Sequence, residues 1–79
     1  MFTIYTKEAC NYCNMAKAEM DRLGIKYEIV EQNVQSSLDL SGRLDSYVFT
    51  YPQIFDHDDF LIGGFEALLD YTEIEPAPI

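Results

Sequence analysis

Basic residues are scarce in this chain of 79, where five Lys and Arg stand against fourteen Asp and Glu for a net charge of −9. That shortage argues against nucleic acid as a ligand, because such affinity comes largely from Lys and Arg neutralising phosphates. It argues equally against an anionic membrane surface. The negative surplus serves solubility, or steers the chain toward a basic patch on a protein partner. No apolar run approaches the roughly 20 residues of a membrane span. No basic stretch followed by an apolar one marks a secretory signal at the N-terminus. A cytoplasmic location is the resulting expectation. Glycine and proline are also few, at four and three. With 48% hydrophobic and 14% aromatic residues, the balance is that of a folded chain and not of a disordered one. The length supports a single domain with a modest core. That domain is expected over residues 1–74. Glu75-Pro76-Ala77-Pro78-Ile79 reads as a loose tail, since its prolines prevent regular structure.

The periodicity of the chain is legible from its start. Phe2-Thr3-Ile4-Tyr5 is short, β-branched and aromatic, which reads as a strand. From Asn11 onward, Cys13, Ala16, Met20 and Leu23 recur at helical spacing and can share one face. Gly24 is the expected stop of that helix. Tyr27-Glu28-Ile29-Val30 follows as a second strand, giving a right-handed parallel βαβ unit. A second helix is expected over residues 37–48, with Leu40, Leu44, Tyr47 and Val48 on one face and Ser36 or Ser37 capping its start. Gln53-Ile54-Phe55 and Phe60-Leu61-Ile62 flank a polar turn and read as a hairpin. Gly63-Gly64 breaks the pattern, and Phe65, Leu68 and Leu69 open a last short helix. The order β-α-β-α-β-β-α implies an α/β fold with a four-stranded mixed sheet covered by helices on both faces.

Cysteine occurs only twice, as Cys10 and Cys13 around Asn11-Tyr12. Two cysteines three apart cannot close a large loop, and stable structural disulfides are rare in the cytosol. A C-x-x-C can be half of a zinc site or a redox dithiol. Structural zinc needs four ligands, and the one histidine, His57, lies far along the chain. The setting between a strand and a helix favours the redox dithiol, with no metal expected. A helix N-terminus carries unpaired N–H groups and partial positive charge, which stabilise a thiolate. Such sites bring a thiol from about 8.5 down to roughly 3.5–7.5. Cys10, at the helix mouth, is therefore the expected nucleophile. Cys13, one turn in and more shielded, is the expected resolving thiol. Lys7 can support the thiolate or hold a carboxylate, or it is an ordinary solvated lysine. Tyr12 can form one wall of a substrate site, or pack in the core. His57 sits in an acidic turn and reads as a solvated histidine, not a general base.

Taken in order, Cys10-Asn11-Tyr12-Cys13, Thr50-Tyr51-Pro52-Gln53-Ile54-Phe55 and Ile62-Gly63-Gly64 resemble the motifs of a dithiol glutaredoxin of the thioredoxin fold. The resemblance covers nearly the whole chain, and the small size is similar to that of compact glutaredoxins, including those of bacteriophages. It implies glutathione-dependent reduction of protein disulfides and glutathione mixed disulfides, with glutathione as reductant. A disulfide-bearing protein such as ribonucleotide reductase is the implied partner, and a monomer the expected state. By resemblance, the bond before Pro52 is cis, and Tyr51 offers its N–H and C=O to the cysteinyl part of glutathione between Thr50 and Pro52. The turn at Gly63 and Gly64 would receive the γ-glutamyl carboxylate through the N–H groups of Phe65 and Glu66. Lys7 matches the basic residue that the family often places near the glycyl carboxylate.

Three positions depart from the family pattern. Asn11 replaces the proline common between the cysteines, Glu66 stands where Asp is frequent, and Tyr51 stands where Val is common. Two alternatives keep the fold: a glutaredoxin-like electron donor reduced by thioredoxin reductase, and an iron–sulfur-binding glutaredoxin. The members best known for clusters carry Cys-Gly-Phe-Ser, and Cys13 occupies the serine position here.

Overall fold

In the computed structural model, which describes residues 1–74, seven elements follow the expected order. Strand β1 is Phe2–Thr6 and strand β2 is Tyr27–Glu31, with helix α1, Asn11–Arg22, between them. Helix α2 is Val34–Leu44. Strands β3, Gln53–Phe55, and β4, Leu61–Gly63, form the hairpin, and helix α3, Phe65–Ile74, closes the described chain. The expected loose tail, residues 75–79, lies outside the described residues.

The sheet order is β2-β1-β3-β4. β1 runs parallel to β2, with Ile4 opposite Ile29, and antiparallel to β3, with Ile4 opposite Ile54. The pairing of β3 and β4 is also antiparallel, so the sheet is mixed. Alternation along the strands sends neighbouring side chains to opposite faces. Ile4 and Ile54 pack with Ala16 and Met20 of α1 and Leu68 of α3. Their neighbours Tyr5 and Phe55 pack with Leu40 of α2 on the other side. Two small cores thus sandwich one sheet, and both lie under β1 and β3.

Three expectations need correction. Leu23 does not share the buried stripe of Cys13, Ala16 and Met20, but forms the C-cap of α1 and is largely exposed. α2 begins and ends earlier than expected. Its N-cap is Asn33, whose Oδ1 accepts the N–H of Ser36 at 2.8 Å while Ser36 Oγ accepts the N–H of Asn33 at 2.9 Å. This reciprocal pair satisfies two donors at once. At the other end Asp45 takes the left-handed conformation, with φ 52° and ψ 43°, and turns the chain out of the helix. Tyr47 and Val48 consequently fall outside it, 89% and 88% exposed, whereas Leu40 and Leu44 do face inward. Phe60 is likewise exposed and precedes β4. Asp56 Oδ1 accepts the N–H groups of Asp58 and Phe60, so the polar turn extends one residue further.

Candidate functional site

The two cysteines stand where β1 hands over to α1. Ala9 has φ 52°, a left-handed value uncommon without glycine. Cys10 then becomes the N-cap of α1, in extended conformation. Its sulfur accepts the N–H of Cys13 at 3.1 Å, one of the donors that a helix start leaves unpaired. No acidic residue occupies the first turn of α1 to offset its positive end. The two sulfurs are joined as a disulfide, with Cα atoms 5.2 Å apart. Cys13 is 1% exposed and Cys10 7%, so the first cysteine is the more accessible of two buried residues.

The segment before β3 approaches from the other side of β1. The peptide bond between Tyr51 and Pro52 is cis. The carbonyl oxygen of Tyr51 lies 3.8 Å from Cys10 Sγ. A Cβ added to Gly64 would sit 3.5 Å from the carbonyl oxygen of Pro52, so the glycine turn lies against this loop. Gly63 carries φ +123°, a value that suits glycine. The ring of Phe65, at the start of α3, is 6.2 Å from that of Tyr12 in α1. The ammonium of Lys7 is 5.9 Å from the centre of the Tyr51 ring.

These pieces enclose an open cleft of about 770 Å³. Lys7 and Tyr12 line one part of it, Thr50, Tyr51 and Pro52 another, and Gly64, Phe65 and Glu66 a third. All eight residues expected to bind glutathione therefore border one space. Tyr12 is 57% exposed, which makes it a wall of the cleft and not a core residue. Three further lining residues, Gln32, Phe49 and Ala67, were not expected from the sequence. Phe49 could have been found from its place directly before Thr50-Tyr51-Pro52. Gln32 could have been found from topology, because it follows the parallel strand β2 and its N–H donates to Thr6 O at the end of β1. Ligands of open parallel sheets gather outside such strand ends. Ala67 carried no signal. His57 lies elsewhere, near Phe2 and Asp58. Among the described residues, no cluster of His, Cys, Asp and Glu is arranged to hold a metal ion. No described helix is long and apolar enough to cross a membrane.

Comparison with known proteins gives a consistent result. The family model described as Glutaredoxin matches residues 2–61. A protein named Glutaredoxin 1 from Rickettsia bellii is 41% identical over 73 residues, covering 85% of this chain and 71% of that protein. Among solved structures, a buckwheat glutaredoxin–glutathione complex superposes with a TM-score of 0.75 at 23% identity, covering 92% of this chain and 68% of that one. The glutaredoxin-like NrdH-redoxin of Escherichia coli, described as having a thioredoxin-like activity profile, matches with a TM-score of 0.64 at 27% identity. That match covers 98% of this chain and 97% of the other.

Proposed function

This chain belongs to the glutaredoxin family of thiol–disulfide oxidoreductases, and from that membership we propose that it reduces protein disulfides and glutathione mixed disulfides with glutathione as its reductant. The observation that carries the proposal is the cleft beside Cys10, lined by Lys7, Tyr12, Tyr51 and the glycine turn.

Catalysis starts from the reduced pair. The Cys10 thiolate, stabilised by the Cys13 N–H and the positive end of α1, attacks one sulfur of the substrate disulfide. A bond forms between Cys10 and that sulfur, and the substrate's own S–S bond breaks. The departing thiolate takes a proton from water. Cys13 then attacks Cys10, the Cys10–Cys13 disulfide forms, and the second substrate thiol leaves. Two electrons have moved from the dithiol to the substrate. Two glutathione molecules return them and leave as glutathione disulfide.

In this reading Tyr51 pairs its backbone with the cysteinyl unit of glutathione, between Thr50 and Pro52. The start of α3, at Phe65 and Glu66, receives the γ-glutamyl carboxylate through backbone N–H groups beside Gly64. Lys7 faces the glycyl carboxylate, and Tyr12 walls the cleft. Ribonucleotide reductase is a fitting protein substrate, and the protein acts as a cytoplasmic monomer.

The test is turnover of a glutathione mixed disulfide coupled to glutathione reductase and NADPH. Cys10→Ser is expected to abolish it. Cys13→Ser is expected to keep part of it, because a mixed disulfide with glutathione can be resolved by a second glutathione. Wild-type activity in Cys10→Ser would overturn the assignment.

A second reading is supported by the end-to-end likeness to a redoxin of thioredoxin-like activity and by acidic Glu66 at the cleft. It takes thioredoxin reductase as the electron source. Running the same substrate with each reductase separates the two: turnover with thioredoxin reductase alone favours the second.

A further inference from the structure

We propose that a groove along α2 is a docking channel for the substrate polypeptide, taking an extended segment that has an apolar side chain a few residues from its reactive cysteine and basic residues beside it. The proposal rests on the reading of Cys10 as the attacking thiol.

A groove of about 520 Å³ runs beside α2, with Val34, Leu38, Tyr47 and Phe49 on its apolar walls. Val34 and Leu38 are one helical turn apart and share a face. Val34 is 80% exposed, Leu38 57% and Tyr47 89%. Single exposed apolar side chains are ordinary, but three around one groove make a surface suited to covering.

Continuity identifies the occupant. Gln32 and Phe49 line both this groove and the cleft beside Cys10. The wall between them is unbroken: Tyr51 O is 3.8 Å from Cys10 Sγ, and the ring of Phe49 packs edge-on against Tyr51 with centroids 5.8 Å apart. From the sulfur the groove is thus reached past Tyr51 and Phe49, a path that a few residues of extended chain can follow. None of the residues assigned to glutathione lines this groove. A polypeptide whose cysteine is being attacked must leave the cleft in some direction, and this exit is apolar.

Charge argues for a basic partner. Among the described residues, none lining the groove is charged. Glu31 and Asp39, next in the chain to Gln32 and Leu38, are exposed. A second copy of this chain would bring another net charge of −9 against the first. A substrate segment with Lys or Arg beside its apolar residue meets attraction instead.

The test uses the reduced protein and three synthetic peptides, each with one cysteine joined to thionitrobenzoate. The first carries Leu four residues from the cysteine and flanking Lys, the second replaces Leu with Ser, and the third replaces Lys with Glu. Attack of Cys10 on the peptide sulfur forms the new S–S bond, and the electron pair leaves with coloured thionitrobenzoate. No glutathione takes part, so failure here is separate from failure of the glutathione reading. Wild-type protein is expected to react with the Leu peptide about tenfold faster than with the Ser peptide, the effect of burying one apolar side chain. L38S and V34T should each shrink that preference to about twofold or less, while reacting at the wild-type rate with free dithionitrobenzoate. The Glu peptide should be slower than the Lys peptide at low salt, and the gap should close at high salt. Equal rates for the Leu and Ser peptides, or a preference unchanged in both variants, would overturn the proposal. So would a wild-type dimer in sedimentation that L38S dissolves, because the groove would then belong to a second copy.

Discussion

At the scale of single residues, the chemistry is carried by side chains whose spacing in sequence is also their spacing in space. Cys10 and Cys13 are three apart, and a helix start brings such residues together. Their identity and order were legible because the relation is local. Lys7 is a different case, since its partner ring, Tyr51, lies far along the chain. If Lys7 holds the glycyl carboxylate, Lys7→Gln should raise KM for a glutathione mixed disulfide about twofold to fivefold with kcat little changed, the weight of one exposed charge pair. A steady-state KM-against-kcat comparison checks this. An equal fall in kcat would assign Lys7 to the thiolate instead. Gln32 and Phe49 carry only weak sequence signals, a strand end and a neighbouring motif, because an amide and an aromatic acquire a role from what the fold sets beside them.

At the scale of elements, local chemistry overrode hydrophobic spacing in α2. The stripe through Leu40, Leu44, Tyr47 and Val48 has helical period, yet the helix stops at Leu44. Period records which residues can share a face; caps decide where the helix runs. Asn33 and Ser36 satisfy each other's backbone at the start, and left-handed Asp45 ends it. Asn33→Ala should therefore lower stability by about 1 kcal/mol, the usual worth of an N-cap. Urea unfolding with an unchanged slope would measure it. A loss near zero would mean that Ser36 alone holds the end. The early stop has a functional side, because it frees Tyr47 to line the groove beside α2. α1 was read more closely, apart from Leu23, because Cys10 caps it and Gly24, at φ 72°, follows its end. On its outer face, the guanidinium of Arg22 hydrogen-bonds to Glu19 and holds that carboxyl below its ordinary value. Whatever that pair contributes is present above the usual carboxylate range and is lost as the pH falls from there through the lowered value.

At the scale of the whole molecule, one sheet with two small cores holds four distant segments together at the cleft. Met20 is fully buried among Ile4, Ala16, Ile54 and Leu68, which come from β1, α1, β3 and α3. Met20→Ala should cost about 2–5 kcal/mol, a large share of the roughly 5–15 kcal/mol that domains have. Chemical denaturation would show it, and a loss under about 1 kcal/mol would mean that the core collapses around the gap. The sequence by itself determined the α/β class, the element order and the dithiol, because helical and strand periods, caps and a three-residue spacing are properties of neighbouring residues. The family resemblance named the loop at Tyr51 and the glycine turn as neighbours of Cys10, but only the tertiary structure decided how they, Gln32 and Phe49 come together around it. The cis loop at Tyr51, the glycine turn, Gln32 and Phe49 meet there because β3 pairs with β1 and because the turn lies against Pro52. Contacts between segments separated by tens of residues follow from packing both faces of a sheet, and no periodicity within one segment encodes them.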